Sequence, residues 1–159
     1  MKYRHLLSVP LLAVALGAQA QKGGIGAIFA ALIGGAVGNA VGKSTGQRMT
    51  VDEALVQVAD QTNKQLPMSV DSDTRWDSTM GGPGRRFGYH YTIVTARASE
   101  IDAPEFHRAM SSHLRNGVCT NPDMKVFLKN GVTISYSYRD RDSRHITRVE
   151  ISPRDCGVA

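Results

Sequence analysis

The chain has 159 residues, enough for one domain with an accessory segment, and its 42% hydrophobic and 21% charged residues are typical of a globular protein. Its net charge of +5 is mild, and Lys and Arg form no run, which argues against a nucleic-acid partner. Two distant cysteines are too few soft ligands for a structural zinc site.

The first 20 residues have the three regions of a secretory signal peptide. Lys2 and Arg4 supply the positive start, an apolar stretch covers residues 6–16, and Ala-Gln-Ala at residues 18–20 is a small-x-small cleavage pattern. The apolar stretch is short for a membrane span of about 20 residues, although an uncleaved anchor stays open as an alternative. We therefore expect an exported protein of the periplasm or cell envelope, with the choice between inner and outer membrane open.

Export also bears on charge and on the cysteines. Cleavage after residue 20 removes two basic residues and lowers the net charge from +5 to +3. In an oxidising compartment, paired thiols become disulfides, so we expect a bond between Cys119 and Cys156. Two buried free thiols are the alternative.

Residues 21–48 are rich in glycine and alanine and contain Gly-Lys-Ser, the ending of a nucleotide-binding P-loop. The P-loop pattern needs a glycine five positions before Gly42, where the chain has Val37, so no nucleotide cofactor is expected. Small residues instead recur at every fourth position, which would give a helix one stripe without large side chains. The stripe comprises Gly26, Ala30, Gly34, Gly38, Gly42 and Gly46.

Such a stripe lets a second helix approach closely inside a membrane, and the uncharged run from Gly23 to Gly42 is long enough to cross a bilayer. The segment resembles the glycine-zipper segments of small bacterial envelope proteins, such as the rickettsial 17 kDa surface antigen group. It departs from that group because no Cys for a lipid anchor follows the signal. The resemblance implies a transmembrane or self-associating helix over residues 21–48; a flexible linker is the alternative.

From residue 49 onward charges appear and the apolar residues become periodic, so residues 49–159 are expected to form a separate domain. Thr50 and Glu53 form the pattern of a capping box and begin a helix that Pro67 ends. A second helix is expected from Asp102 to Asn116-Gly117, and a short one from Asn121-Pro122 to Asn130. Alternating polarity predicts strands over residues 68–76, 86–94, 132–138 and 145–152.

Two hairpins and two main helices predict an α+β domain, with an antiparallel sheet of about four strands and the helices packed on one face. A disulfide would join the end of the second helix to the end of the last strand. The stretches LPMSVDSDTRWDS and LKNGVTISYSYRD look like those of an uncharacterised bacterial exported domain.

The sequence offers no catalytic or metal-binding pattern, so neither an enzyme nor a metal site is expected. His107 and His113 are six residues apart, which places them on different faces of a helix. Asp71 and Asp73 share a strand face with Arg75 and have no third ligand nearby. No G-x-S-x-G motif is present.

Tyrosines and arginines are the candidate binding residues. Tyrosines at 89, 91, 136 and 138 lie in pairs on strand faces and are either core or an exposed patch. Five arginines fall at hairpin ends and would form one basic rim for an anionic partner if those ends lie together; ordinary solubilising charge is the alternative. They are Arg85, Arg86, Arg139, Arg141 and Arg144.

These observations predict a non-enzymatic bacterial envelope protein. Its glycine-zipper helix would associate with the membrane or with a second copy, and its α+β domain would bind a partner, such as an envelope protein or an acidic surface. The alternative is a soluble periplasmic inhibitor or immunity-type protein acting on a cell-wall hydrolase, with the glycine segment only a tether.

Overall fold

The computed structural model of the chain describes residues 24–34 and 49–158. These residues form four α-helices, five strands and two short 3-10 helices. The helices are α1 (Ile25–Gly34), α2 (Val51–Asn63), α3 (Ala103–Thr120) and α4 (Pro122–Lys129). The strands are β1 (Met68–Ser69), β2 (Thr74–Gly82), β3 (Arg86–Ile93), β4 (Thr133–Asp140) and β5 (His145–Ile151). The 3-10 helices are Ala98–Glu100 and Pro153–Cys156.

The helix starts follow the predicted capping residues. The backbone N–H of Thr50 donates to the Glu53 carboxylate at 2.9 Å, and the Thr50 hydroxyl accepts the N–H of Glu53 at 3.3 Å. Asp102 caps α3 in the same way by accepting the N–H of Glu105. The predicted end of α3 at Gly117 is wrong, since the helix continues to Thr120 and thereby buries Val118.

The sheet has the order β1-β2-β3-β4-β5 and is mixed. β3 and β4 are parallel and the other three pairs are antiparallel. The α+β class and both hairpins agree with the sequence prediction, but a fully antiparallel sheet of four strands does not. Because α3 and α4 return the chain from the end of β3 to the start of β4, the two hairpins meet through a parallel pair.

The predicted first strand, residues 68–76, is divided by a tight turn. The Asp71 carboxylate accepts the backbone N–H groups of Asp73 and Thr74 at 2.8 and 2.7 Å, which is the local bonding that Asp favours in turns. Met68 consequently folds back and pairs with Trp76. The segment therefore forms the short strand β1 and the beginning of β2.

The helices cover one face of the sheet, where a row of aromatic rings forms the centre of the core. Tyr89 stacks on Tyr136 with ring centroids 5.0 Å apart, and Tyr91 stacks on Tyr138 at 5.4 Å. All four tyrosines are at most 7% exposed, and burial raises the pKa of the Tyr136 hydroxyl. They belong to the core and do not form an exposed patch.

α1 packs on this domain through α2 and α4. Phe29 is fully buried and its ring stacks on Phe127 with centroids 4.4 Å apart. Gly26 lies against the backbone of Asp123, where a Cβ would overlap main-chain atoms. Residues 25–34 of the predicted zipper thus contribute to the core of the domain.

The rest of the predicted zipper, with Gly38, Gly42 and Gly46, lies outside the described residues. Of the helices in residues 24–34 and 49–158, none is both long and apolar enough to span a bilayer. A transmembrane helix therefore has no support from the described part of the chain.

The predicted disulfide is present. Cys119 in the last turn of α3 is bonded to Cys156 in the 3-10 helix that follows β5, with their Cα atoms 5.2 Å apart. The bond joins the helical layer to the end of the sheet.

A buried carboxylate organises the β4–β5 hairpin. Asp140 is fully buried, and it accepts the N–H groups of Ala98, Arg144 and Asp142 at 2.7, 2.7 and 2.9 Å. Burial by itself raises the pKa of the Asp140 carboxyl, but these three donors and the charge of Arg144 outweigh it and lower the pKa.

We expect the contribution of the Asp140 carboxylate to the free energy of unfolding to depend on pH. Because its folded pKa lies below an unfolded value of about 3.9, the stabilisation is fully present above that pH and is lost as pH falls through the folded pKa. The Asp140→Asn variant should therefore be less stable than the wild type at pH 7, and the difference should shrink below about pH 4. Urea unfolding of both proteins at several pH values measures it, and a difference independent of pH would contradict it.

Candidate binding face of the sheet

The second face of the sheet, which we call the polar face, carries residues that alternate with the helix-covered ones. The helices contact the opposite face: Leu55 lies over Gly81, Phe106 meets the ring of Tyr138, and His107 bonds the hydroxyl of Thr147. The strand register places the side chains of the polar face in three rows. The central row is Ser78, His90, Ser137 and Arg148; on one side are Arg75, Thr92, Arg139 and His145, and on the other Met80, Gly88, Ser135 and Glu150.

Small residues form the middle of the polar face. Gly88 lies directly opposite Ser135, and a Cβ added at Gly88 would be 3.1 Å from the Ser135 hydroxyl. Ser137 is half-buried beside them. Two longer side chains, Met80 on β2 and Arg148 on β5, flank this region of small side chains. A partner could therefore lie across β3 and β4 between them.

His90 is the titratable group in the centre of the polar face. Burial lowers the pKa of its imidazole, and the charges of Arg139 and Arg148 lower it further, while Asp77 has the opposite effect. The imidazole is therefore neutral at pH 7 and keeps one N–H donor and one acceptor. The two guanidinium groups supply the positive charge around it.

The arginines of the polar face differ in their partners. Arg75 is paired with Asp77 at 2.6 Å, and Arg148 with Glu150 at 2.8 Å. Arg139 is exposed and makes no ion pair or side-chain hydrogen bond with any residue that the structure describes. Arg139, in the row beside the central one, is thus available to an anionic group.

The five arginines proposed from the sequence do not form one rim. Arg85 and Arg86 lie at the start of β3, whereas Arg139, Arg141 and Arg144 lie at or beyond the end of β4. Since β3 and β4 are parallel, these positions are at opposite ends of the sheet, roughly 20–25 Å apart for eight residues of strand. The condition for a single basic rim, that the hairpin ends lie together, is therefore not met.

Sequence reasoning missed that Arg139 is joined by His90 and Arg148. The alternation in RFGYHYTI places His90 on the polar side of its strand, but it does not indicate which residues of other strands lie beside it. Arg148 alternates with buried Thr147 and Val149 in β5, which indicates the same face. Their proximity depends on the strand order, which a single sequence does not specify.

Three of the polar residues considered in the sequence, Asp71, Asp73 and His107, have structural partners. Asp71 binds turn N–H groups, the Asp73 carboxylate accepts the hydroxyl of Thr95, and the ring Nδ1 of His107 is 2.8 Å from the Thr147 hydroxyl. Within residues 24–34 and 49–158, no group of three or more His, Cys, Asp or Glu side chains is arranged to hold a metal ion.

Comparisons with known proteins give a family and a fold. The model of the family described as Domain of unknown function (DUF8479) matches residues 50–147. No curated protein matches the chain.

Three solved structures share the fold. A Pseudomonas aeruginosa protein described as secreted has a TM-score of 0.58 and 17% identity, over 66% of this chain and 91% of its own. The pilotin EpsS of the Vibrio vulnificus type 2 secretion system has a TM-score of 0.52 and 11% identity, over 66% and 90%. The type II secretion pilotin AspS of Vibrio cholerae has a TM-score of 0.50 and 11% identity, over 66% and 91%.

Proposed function

We propose a function from the residues of the polar face, since the family to which the chain belongs is described only as a domain of unknown function (DUF8479). The protein is a non-enzymatic, exported protein of the bacterial cell envelope, and its polar face binds an acidic segment of an envelope protein. The signal-peptide pattern of residues 1–20 supports export. The fold likeness to a secreted protein and to two secretion-system pilotins agrees with an envelope location.

The observation that carries the proposal is Arg139 beside His90. Arg139 is exposed and unpaired among the described residues, and its charge and that of Arg148 reach the half-buried imidazole. An acidic side chain placed there would bind Arg139 directly, with the neutral His90 and the serine hydroxyls as hydrogen-bond donors. The small residues Gly88 and Ser137 leave room for the backbone of such a segment.

A catalytic use of the same residues has less support. His90 lies opposite Ser78 and Ser137 in the register, which could suggest a serine nucleophile with a histidine base. The structure records no hydrogen bond between the His90 ring and either hydroxyl. Among the described residues, no third group hydrogen-bonds the His90 ring and orients it. Binding is therefore the better interpretation.

Charge reversal at Arg139 tests the proposal. The Arg139→Glu variant should capture the envelope partner at least about tenfold more weakly than the wild type, since an attraction becomes a repulsion. Arg108→Glu is the matched control: Arg108 is exposed on α3, away from the polar face, and undergoes the same change of charge. Crosslinking in intact cells, followed by quantitative mass spectrometry of the captured proteins, measures the difference.

Two further measurements separate the possible outcomes. Capture should weaken as salt is raised, because exposed charges are screened over about 10 Å at 0.1 M salt. Equal capture by both variants would contradict the proposed site. Loss of binding to anionic lipid vesicles, with no protein partner captured, would assign the polar face to a membrane surface instead.

A further inference from the structure

The two edges of the sheet, formed by β1 with β2 on one side and by β5 on the other, differ in how their outward-facing backbone groups are hydrogen-bonded. At the β2 edge the side-chain amide of Asn63 donates to the carbonyl of Thr79 at 2.9 Å and accepts its N–H at 2.7 Å, as a neighbouring strand would. β1 pairs with the first part of β2, and a bulge interrupts the register between Trp76 and Ser78. Strand edges promote association unless they are covered or irregular, and this edge is both.

The outer backbone groups of β5 have no such hydrogen-bonding partner in the described part of the chain, although α3 packs on the helix-covered side of this strand. β5 pairs with β4 on one side, and no described residue outside β4 hydrogen-bonds the backbone of His145–Ile151. The strand is seven residues long and ends at Ile151, two residues before Pro153 begins a 3-10 helix. A bulge interrupts the register of β5 with β4 between His145 and Thr147. From Thr147 to Ile151 the register is regular, so this part of the strand offers a row of backbone donors and acceptors to another strand.

The sequence of β5 indicates which strand would fit. Arg148 and Glu150 lie on either side of the buried Val149, and each is close to half exposed on the polar face. In an antiparallel pair related by a two-fold axis at Val149, Arg148 of one copy lies opposite Glu150 of the other, and the reverse. Opposite charges directly across a pair stabilise it, so β5 is complementary to itself in this register.

We propose that the protein forms a two-fold symmetric dimer in which β5 pairs antiparallel with β5 of a second copy, with Val149 at the axis. The paired segment covers residues 147–151 of each copy. The sheet then continues from one copy into the other, and both polar faces lie on the same side of it. Since a short strand pair buries less area than an obligate interface, the dimer should dissociate at micromolar concentrations.

A charge swap tests this register. In Arg148→Glu and in Glu150→Arg, two pairs of like charges face each other across the dimer, so each single variant should dimerise at least about tenfold more weakly. The double variant Arg148→Glu/Glu150→Arg restores opposite charges and should recover the wild-type dissociation constant. Arg108→Glu, on the outside of α3, is the control for a change of net charge.

Sedimentation velocity of the purified mature protein across a concentration series gives the dissociation constants, and thermal melts confirm that each variant is folded. A wild-type protein that is monomeric at every concentration would overturn the proposal. A dimer that the single variants leave unchanged would also overturn it, because the copies would then associate elsewhere. Recovery in the double variant is the result that a general loss of stability could not produce.

Discussion

Reduction of the Cys119–Cys156 disulfide should lower the free energy of unfolding by about 2–5 kcal/mol, the usual cost of losing a native bridge in a small exported domain. The two cysteines are 37 positions apart, and the segment between them contains α4, β4 and β5. Without the bond, the unfolded chain gains the freedom of that whole segment. Urea unfolding of the mature protein with and without reductant measures the change.

The double variant Cys119→Ala/Cys156→Ala is the control for this prediction. It should show the same loss of stability, and reductant should have no further effect on it. The wild-type protein should not be labelled by thiol reagents until reductant is added, since the described structure has no free cysteine. Equal stability of the oxidised and reduced wild-type proteins would show that the helical layer does not need the bond.

Much of the domain was predictable because its signals are local. The reciprocal bonds of Thr50 and Glu53, the cap at Asp102 and the alternation of buried tyrosines in β3 and β4 each depend on residues close in sequence. These signals specify the elements and which side of each faces the core. They do not specify how the two hairpins are arranged.

The arrangement of the hairpins depends on contacts distant in sequence. Gly81 lets the backbone of Leu55 in α2 lie directly on β2, and Phe106 of α3 packs on Tyr138 of β4. These contacts hold α2 and α3 on the same face of the sheet and make the connection from β3 to β4 a crossover. Arg139 and His90 meet on the polar face for the same reason, so the site followed from the topology and not from a motif.

The glycine-rich segment shows where periodicity misleads. Its four-residue repeat predicts a stripe facing another helix, but the buried residues of α1 are Gly26, Phe29 and Leu32, spaced by three. The face of α1 that carries Phe29 enters the core, because its ring stacks on Phe127 and α1 packs against α2 and α4. Packing of Gly34 and the glycines after it against a second helix stays a prediction.

The Phe29→Ala variant should lose about 3–5 kcal/mol of unfolding free energy, because it removes a fully buried ring that stacks on Phe127. If α1 were only a tether or membrane anchor, the domain formed by residues 49–159 would not be affected. Thermal and urea unfolding of the mature protein, followed by near-UV circular dichroism, measures the loss. A variant as stable as the wild type would show that α1 does not contribute to the core.

Two glycine substitutions distinguish the core role of α1 from the zipper role. Gly26→Ala should destabilise the domain, because the new Cβ would overlap the backbone of Asp123 and force α1 away from α4. Gly34→Ala is the matched control, since Gly34 is exposed and a Cβ there meets no described atom within 4 Å; it should leave stability unchanged or raise it by up to about 1 kcal/mol through helix propensity. A zipper predicts the reverse order, with Gly34→Ala weakening self-association and Gly26→Ala leaving the folded domain as stable as before. The ranking of the two variants therefore decides whether the small residues of α1 face the domain's own core or a second molecule.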